Sequence, residues 1–527
     1  MYLWRKYITA ALACLLLLAC RKDDLAEIPE PVYRIRLESS GVTLPGGGSA
    51  VIPFRIADGE LPKDSGIRLL LRDGTEPSEF CLEGIETGSD GLCQAKIADT
   101  GISGAYSREA CLSLSFRSST GRDVIIRSEY LAVNCGPTDF SGAVDTGLPV
   151  VFVDVSDGRT VNSRDIEYPA VMKIKGAGGY AGRTPVSCTI RGRGNTTWIW
   201  PKKPYQIEFR ERLPMLGMPA ARRWILLANF ADKTLMRNMV SMKVSSLTSM
   251  DWTPRCVPVE LVLDGEHRGS YLMIEKVEVD PERVALSPDG CLLELDFHYD
   301  NEVQWFDPHG LSRRRTGIPF AIKYPSGEDL TPQREASIKK YVTDAADVLY
   351  SSGFADPDTG YAAWLDVDSF IDYWIIFEVL GNHELGNPGS VYFHREAGGK
   401  LIAGPCWDFD WGLLKLSTTI QSRTGIVNKG AIWYARLFQD PAFEQKVRER
   451  FLQLLPELET VPQFIDESER LLAASAEINF KMWNPSVDRW QNNGLPVNGD
   501  ENLSFGDAVA RLRQVYLDRL DLLKNNL

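Results

Sequence analysis

Gly404-Pro405-Cys406-Trp407-Asp408-Phe409-Asp410-Trp411-Gly412 is the stretch on which the reading of this chain turns. If Trp407 to Trp411 runs as a strand, side chains alternate between two faces. Asp408 and Asp410 then point one way, and Trp407, Phe409 and Trp411 the other. Two carboxylates on an aromatic base can hold a hard cation. Upstream stand Leu380-Gly381-Asn382-His383-Glu384-Leu385-Gly386-Asn387 and a strand-like Ser390-Val391-Tyr392-Phe393-His394. A loop acid such as Glu384, followed by a metal-binding aspartate, is the order met in phosphoryl-transfer sites.

Further upstream, Arg191-Gly192-Arg193-Gly194-Asn195-Thr196-Thr197-Trp198 combines two glycines with basic and hydroxyl residues. Its backbone can therefore approach a phosphate closely. Lys202-Lys203-Pro204-Tyr205-Gln206-Ile207-Glu208-Phe209 follows, and strand parity places Lys203 on the side of Tyr205, Ile207 and Phe209. A lysine among inward apolar residues needs a partner, either a nucleotide phosphate or a structural carboxylate. Glu275, in Tyr271-Leu272-Met273-Ile274-Glu275-Lys276-Val277, is the carboxylate expected to meet it. Lys323, in Phe320-Ala321-Ile322-Lys323-Tyr324-Pro325, reads either as a ligand contact or as a snorkelling surface lysine. Asp232 to Leu247 predicts a helix capped by Asp232, with Leu235, Met236, Met239, Val240, Val244 and Leu247 on its apolar face. Arg237 and Asn238 then face either a site or solvent, and spacing alone favours solvent.

At 527 residues the chain exceeds what one hydrophobic core usually supports, so two or more domains are expected. Short β-favouring runs such as Tyr33-Arg34-Ile35-Arg36-Leu37 and Ile67-Arg68-Leu69-Leu70-Leu71, broken by turn clusters such as Gly46-Gly47-Gly48-Ser49, predict a small all-β sandwich over residues 32–135. Residues 136–147 read as a linker, and 148–527 as a larger α+β domain opening on the strand Val150 to Val155. Thr331-Pro332 and Asp440-Pro441 are cap-then-proline helix starts, and a further helix begins at Asp366 or Asp368. Helical patterns continue to the end, including Phe464 to Ile478 and Ala508 to Leu523.

The net charge of −13 argues against a nucleic-acid partner, because phosphate-backbone binders carry a basic footprint. Arg5 and Lys6, then an apolar run from Tyr7 through Leu18, predict a secretion signal over residues 1–19. Leu17-Leu18-Ala19-Cys20 resembles a bacterial lipobox, which would leave Cys20 lipidated at the head of a linker over residues 20–31. Arg21-Lys22-Asp23-Asp24 is similar to the charged tag that sends some lipoproteins to the outer face of the outer membrane. Cys81, Cys93, Cys111 and Cys135 would allow two disulfides in an oxidising compartment. Cys188, Cys256, Cys291 and Cys406 read as buried thiols. With five histidines and no H-E-x-x-H, a zinc site has little support.

Taken in order, these motifs resemble the CotH family of spore-coat-type atypical protein kinases. The matching residues are Ile190 to Trp198, Pro201 to Tyr205, Trp224 to Asn229, Asp232 to Asn238, Val259 to Lys276 and Gly404 to Asp410. The resemblance implies a kinase-like fold, with ATP and Mg²⁺ or Mn²⁺ as cofactors and a protein serine or threonine as acceptor. Carried onto this chain, Asp408 is the metal-binding aspartate, Asp410 an auxiliary acid and Glu384 the catalytic-loop acid. Arg191, Asn195, Lys203, Glu275 and Lys323 are the expected nucleotide contacts. Glu384 departs from the family pattern, in which aspartate is expected at that position. Two other readings stand beside this one: a non-catalytic surface lipoprotein that keeps the fold, and a glycoside-processing enzyme built on paired carboxylates.

Overall fold

The computed structural model describes residues 33–44, 49–57, 61, 64–88, 90–100, 106–117, 123–135, 145–155, 159–297, 303–310, 317–410, 425–483, 498–500 and 502–527. The expected leader, Cys20, the Gly46 to Gly48 run, most of the expected linker, and Trp411 and Gly412 lie outside these residues.

The first strands are β1 (Arg34–Leu37), β2 (Gly41–Leu44), β3 (Ser49–Ala57), β4 (Gly66–Leu71), β5 (Phe80–Thr87), β6 (Cys93–Asp99), β7 (Tyr106–Arg117), β8 (Asp123–Arg127) and β9 (Leu131–Cys135). They form two sheets, β1-β3-β6-β5 and β2-β9-β7-β4, with β8 also paired to β7. Alternate residues such as Ile52, Phe54, Ile56, Leu112 and Leu114 bury one shared core between them. Cys81, Cys93 and Cys111 are free thiols, so the two disulfides expected among the four N-terminal cysteines do not form. Their strand positions explain this: Cys81 pairs across the sheet with Ala98, Cys93 with Phe54 and Thr87, and Cys111 with Leu70.

Seven strands follow and close on themselves: β10 (Val150–Val155), β11 (Tyr168–Lys175), β12 (Arg183–Gly192), β13 (Tyr205–Met215), β14 (Met218–Leu227), β15 (Cys256–Leu263) and β16 (Glu266–Glu275). The parallel pairing of β10 with β15 completes the barrel, matching Val150 to Glu260. Val151, Val153, Ile207, Trp224, Leu226 and Tyr271 fill its interior. On β14 and β16 the outward residues Ile225, Leu227, Leu272 and Ile274 are buried as well, in the next core. Burial on both faces is why these strands read as unbroken apolar runs.

That next core backs an antiparallel sheet ordered β18-β19-β17-β20-β21, from β17 (Cys291–Leu295), β18 (Gln304–Asp307), β19 (Ile318–Tyr324), β20 (Val391–Arg395) and β21 (Ile402–Ala403). The helices are α1 (Thr196–Ile199), α2 (Arg237–Ser246), α3 (Pro332–Tyr350), α4 (Val367–Val379), α5 (Tyr434–Leu437), α6 (Pro441–Leu458), α7 (Val461–Met482) and α8 (Phe505–Asn526). Thr331, Asp366 and Asp440 cap α3, α4 and α6 by accepting from the N–H groups of Arg334, Ser369 and Ala442. The α+β class therefore holds. No helix among the described residues is long and apolar enough to cross a membrane.

Lys202, only 1% exposed, joins the barrel to α7. Its ammonium donates to the Ser270 carbonyl and, at 2.8 Å, to Asn479 Oδ1. Burial pushes this amine down to about 7, against a modest upward pull from Glu260. Between that value and the ordinary lysine range the unfolded chain holds a proton that the folded chain does not, so folding stability rises with pH across the window. Denaturation of a Lys202→Met chain at about pH 7 and pH 10 should show a smaller alkaline gain than the wild type. An unchanged gain would remove Lys202 as its source.

Candidate active site

A cleft of about 810 Å³ lies between the barrel and the helix-backed sheet. The barrel side brings mostly cations: Arg191 and Arg193 at the end of β12, Arg223 on β14, and Lys276 just past β16. The sheet side brings mostly acids: Glu294 on β17, Asp296 after it, Glu384 ahead of β20, and Asp408 and Asp410 after β21. Asp165, Glu278 and Lys323 reverse this pattern, and the last two are ion-paired. Glu278 meets Arg223 at 3.0 Å, and Lys323 meets Glu294 at 3.0 Å. Tyr392 also donates its hydroxyl to Glu294 at 2.7 Å.

Residues 404–408 adopt no regular secondary structure and pair with no strand, and a turn follows at 409–410. The expected strand from Trp407 to Trp411 is therefore corrected to a turn within the described residues. Asp408 adopts φ +62, a left-handed conformation that breaks the alternation on which the expectation rested. The two aspartates nonetheless meet, hydrogen-bonded to each other. Burial pushes both carboxyls up. Arg193 opposes this at Asp408, whereas the charges of Asp408, Asp232 and Glu384 push Asp410 further up. Carboxyls in such direct contact do not flank a sugar, which needs about 5 Å or more between them. Trp407 lies beneath the Arg193 guanidinium, 5.3 Å from its ring centre.

Glu384 opens a short 3₁₀ turn, and its N–H donates to Asn382 Oδ1 at 2.9 Å. Asn428 donates to the Asn382 carbonyl at 2.8 Å and to Glu378 at 3.1 Å. Glu378, fully buried, also receives the Arg519 guanidinium of α8 at 2.7 Å. The acid's loop thus hangs from a buried ion pair.

Of the expected nucleotide contacts, Arg191, Asn195 and Lys323 line the cleft. Arg191 donates to the Arg164 carbonyl at 2.7 Å, and Arg164 donates to Asn195 Oδ1 at 2.7 Å. Lys203 and Glu275 do not line it, and their expected pairing is corrected. Lys203 donates to the Trp198 carbonyl at 2.5 Å. Glu275 instead holds Arg255, at 2.8 Å to its N–H and 2.9 Å to its guanidinium. The strand begins at Tyr205, so parity does not extend back across Pro204 to Lys203.

Helix α2 is corrected too: it starts at Arg237, after Leu235 at φ +57. Asp232 is not its N-cap, but it accepts from the Arg237 N–H at 2.8 Å. Arg237 and Asn238 are each 1% exposed, because the first turns of the helix are buried on every face. Arg237 is ion-paired to Asp232 and, at 2.6 Å, to Asp500.

The sequence reading passed over Arg193, Lys276, Glu294 and Asp296. Lys276 lies just past the end of β16, so strand parity gave no signal for it. Burial pushes its amine down to about 8, with Glu278 pulling it back up. Glu294 sits in the apolar run Cys291-Leu292-Leu293-Glu294-Leu295, where a carboxylate needs a partner.

Among the described residues no group of three or more His, Cys, Asp or Glu side chains could by itself cage a metal ion. Mg²⁺ does not require one, because it is held by one or two carboxylates together with substrate phosphates. Two touching carboxylates opposite several cations fit that mode of binding.

A barrel and a helix-backed sheet enclosing one charge-divided cleft define an α+β protein that can bring a cation and a polyanion together. The model of the family described as CotH kinase protein matches residues 190–523, and the chain belongs to that family. No curated protein matches the chain.

Proposed function

We propose that the chain is a metal-dependent, kinase-like protein of the CotH type that moves the γ-phosphoryl group of ATP to a serine or threonine of another protein. The observation that carries this reading is the division of the cleft, with Asp408, Asp410 and Glu384 on one side and Arg191, Arg193 and Lys276 on the other. Asp408 and Asp410 would hold Mg²⁺ or Mn²⁺, which when bound supplies neutralisation of phosphate charge. Arg191, Arg193 and Lys276 bind phosphate oxygens from the barrel side. Glu384 orients the acceptor hydroxyl and takes its proton. The acceptor oxygen bonds to the γ-phosphorus as the bond from that phosphorus to the ADP oxygen breaks. Incubating the purified chain with γ-labelled ATP, Mn²⁺ and a serine-rich protein should label the protein. An unlabelled acceptor and chain would overturn the reading.

A second reading, a surface-binding lipoprotein without catalysis, is favoured by Glu384 standing where the family resemblance leads one to expect aspartate. It expects no metal-dependent thermal shift with ATP, and such a shift would remove it. Both readings include a lipid on Cys20 that anchors the chain at the outer membrane or cell surface, supported by the Leu17 to Cys20 pattern. A Cys20→Ser chain should move from the membrane fraction to the soluble fraction, and retention in the membrane would refute the anchor.

A further inference from the structure

We propose that Asn238 is a positioning residue that sets Asp408 and Asp410 for the cation, acting through the backbone between them. The inference rests on the functional reading above. The Phe409 N–H donates to Asn238 Oδ1 at 3.0 Å, and Phe409 is the residue that separates the two aspartates. This is the one hydrogen bond of the Asn238 amide among the described residues, since its buried Nδ2 has no partner there.

Burying an amide with its donor group unmet costs stability. An apolar side chain of similar size would avoid that cost but could not hold the Phe409 N–H. That N–H matters because Asp408 sits at φ +62, a conformation a non-glycine residue keeps only when its surroundings enforce it. Two clamps enforce it. Asn238 fixes the turn's backbone, and Phe377 packs on the Phe409 ring with centres 4.7 Å apart.

Asn238 is itself held in place. It is the second residue of α2, whose start is tied by Arg237 to Asp232 and to Asp500. Residues distant in sequence thus converge on one backbone N–H between two carboxylates.

The test compares the full chain with Asn238→Leu, which has similar volume and no acceptor, and Asn238→Asp, which keeps an acceptor oxygen. Mn²⁺ binding is read by calorimetry and by the electron paramagnetic resonance of the bound ion, with a non-hydrolysable ATP analogue present. Asn238→Leu should bind Mn²⁺ about 10- to 100-fold more weakly, as loss of a group supporting a metal ligand does, with an altered spectrum. Asn238→Asp should keep the wild-type spectrum. Wild-type binding by a folded Asn238→Leu chain overturns the proposal and leaves the functional reading standing. Should the leucine chain fail to fold, Asn238→Ser, whose hydroxyl is too short to reach Phe409, takes its place under the same criterion. If the wild type itself binds no Mn²⁺ with the analogue, the functional reading falls, and the proposal with it.

Discussion

Replacing Asp408 by asparagine should remove phosphoryl transfer while making the metal-free chain more stable. Asp408 and Asp410 touch, and burial and mutual charge push the Asp410 carboxyl well up. Burying two acids this close together disfavours their charged forms, so neutralising one relieves the native state. The melting temperature near neutral pH should therefore rise. Activity should fall by roughly 10²- to 10³-fold or more, the scale on which a single transition-state charge contact is lost. Paired measurement of melting and transfer checks this. A stabilised chain with undiminished transfer would show that Asp408 holds no catalytic metal. Reduced transfer together with a lower melting temperature would instead make Asp408 a structural residue.

Glu384→Gln should lower kcat by roughly 10²- to 10⁴-fold, the usual contribution of a general base, while leaving KM for metal-bound ATP nearly unchanged. The split follows from its proposed role, which concerns the acceptor hydroxyl and not the nucleotide. Glu384→Asp restores the side chain expected of the family and should retain transfer. A glutamine chain with wild-type kcat would remove Glu384 from the chemistry. A rise in KM for ATP without loss of kcat would assign it to nucleotide binding instead.

Local signals carried much of this architecture in the sequence. Thr331-Pro332, Asp366 and Asp440-Pro441 announce helix starts because a cap and its helix lie within four residues. Val150–Val155 shows its strand by composition alone. The barrel was not legible, since its closure depends on Val150 meeting Glu260, more than a hundred residues away. Spacing likewise could not reveal that Arg237 and Asn238 are buried, because a helix buried over most of its surface carries polar residues wherever partners await them. At Lys202 and Lys203 the parity argument ran past the end of the strand, and the inward lysine proved to be Lys202. Asp408 and Asp410 come together for a reason other than alternation: a left-handed residue turns the chain between them.

The Glu384 loop depends on Glu378, and Glu378 depends on Arg519, eight residues from the end of the chain. Asp500, which holds Arg237, is another late residue. A ribosome therefore makes the barrel, the sheet and every cleft residue before it makes the groups that fix them. Until α8 has been synthesised, Glu378 has the Val427 and Asn428 N–H groups but not its guanidinium, so its buried charge is uncompensated. A nascent chain that has not yet reached α8 carries all the cleft's proposed reactive groups without the guanidinium that anchors the Glu384 loop.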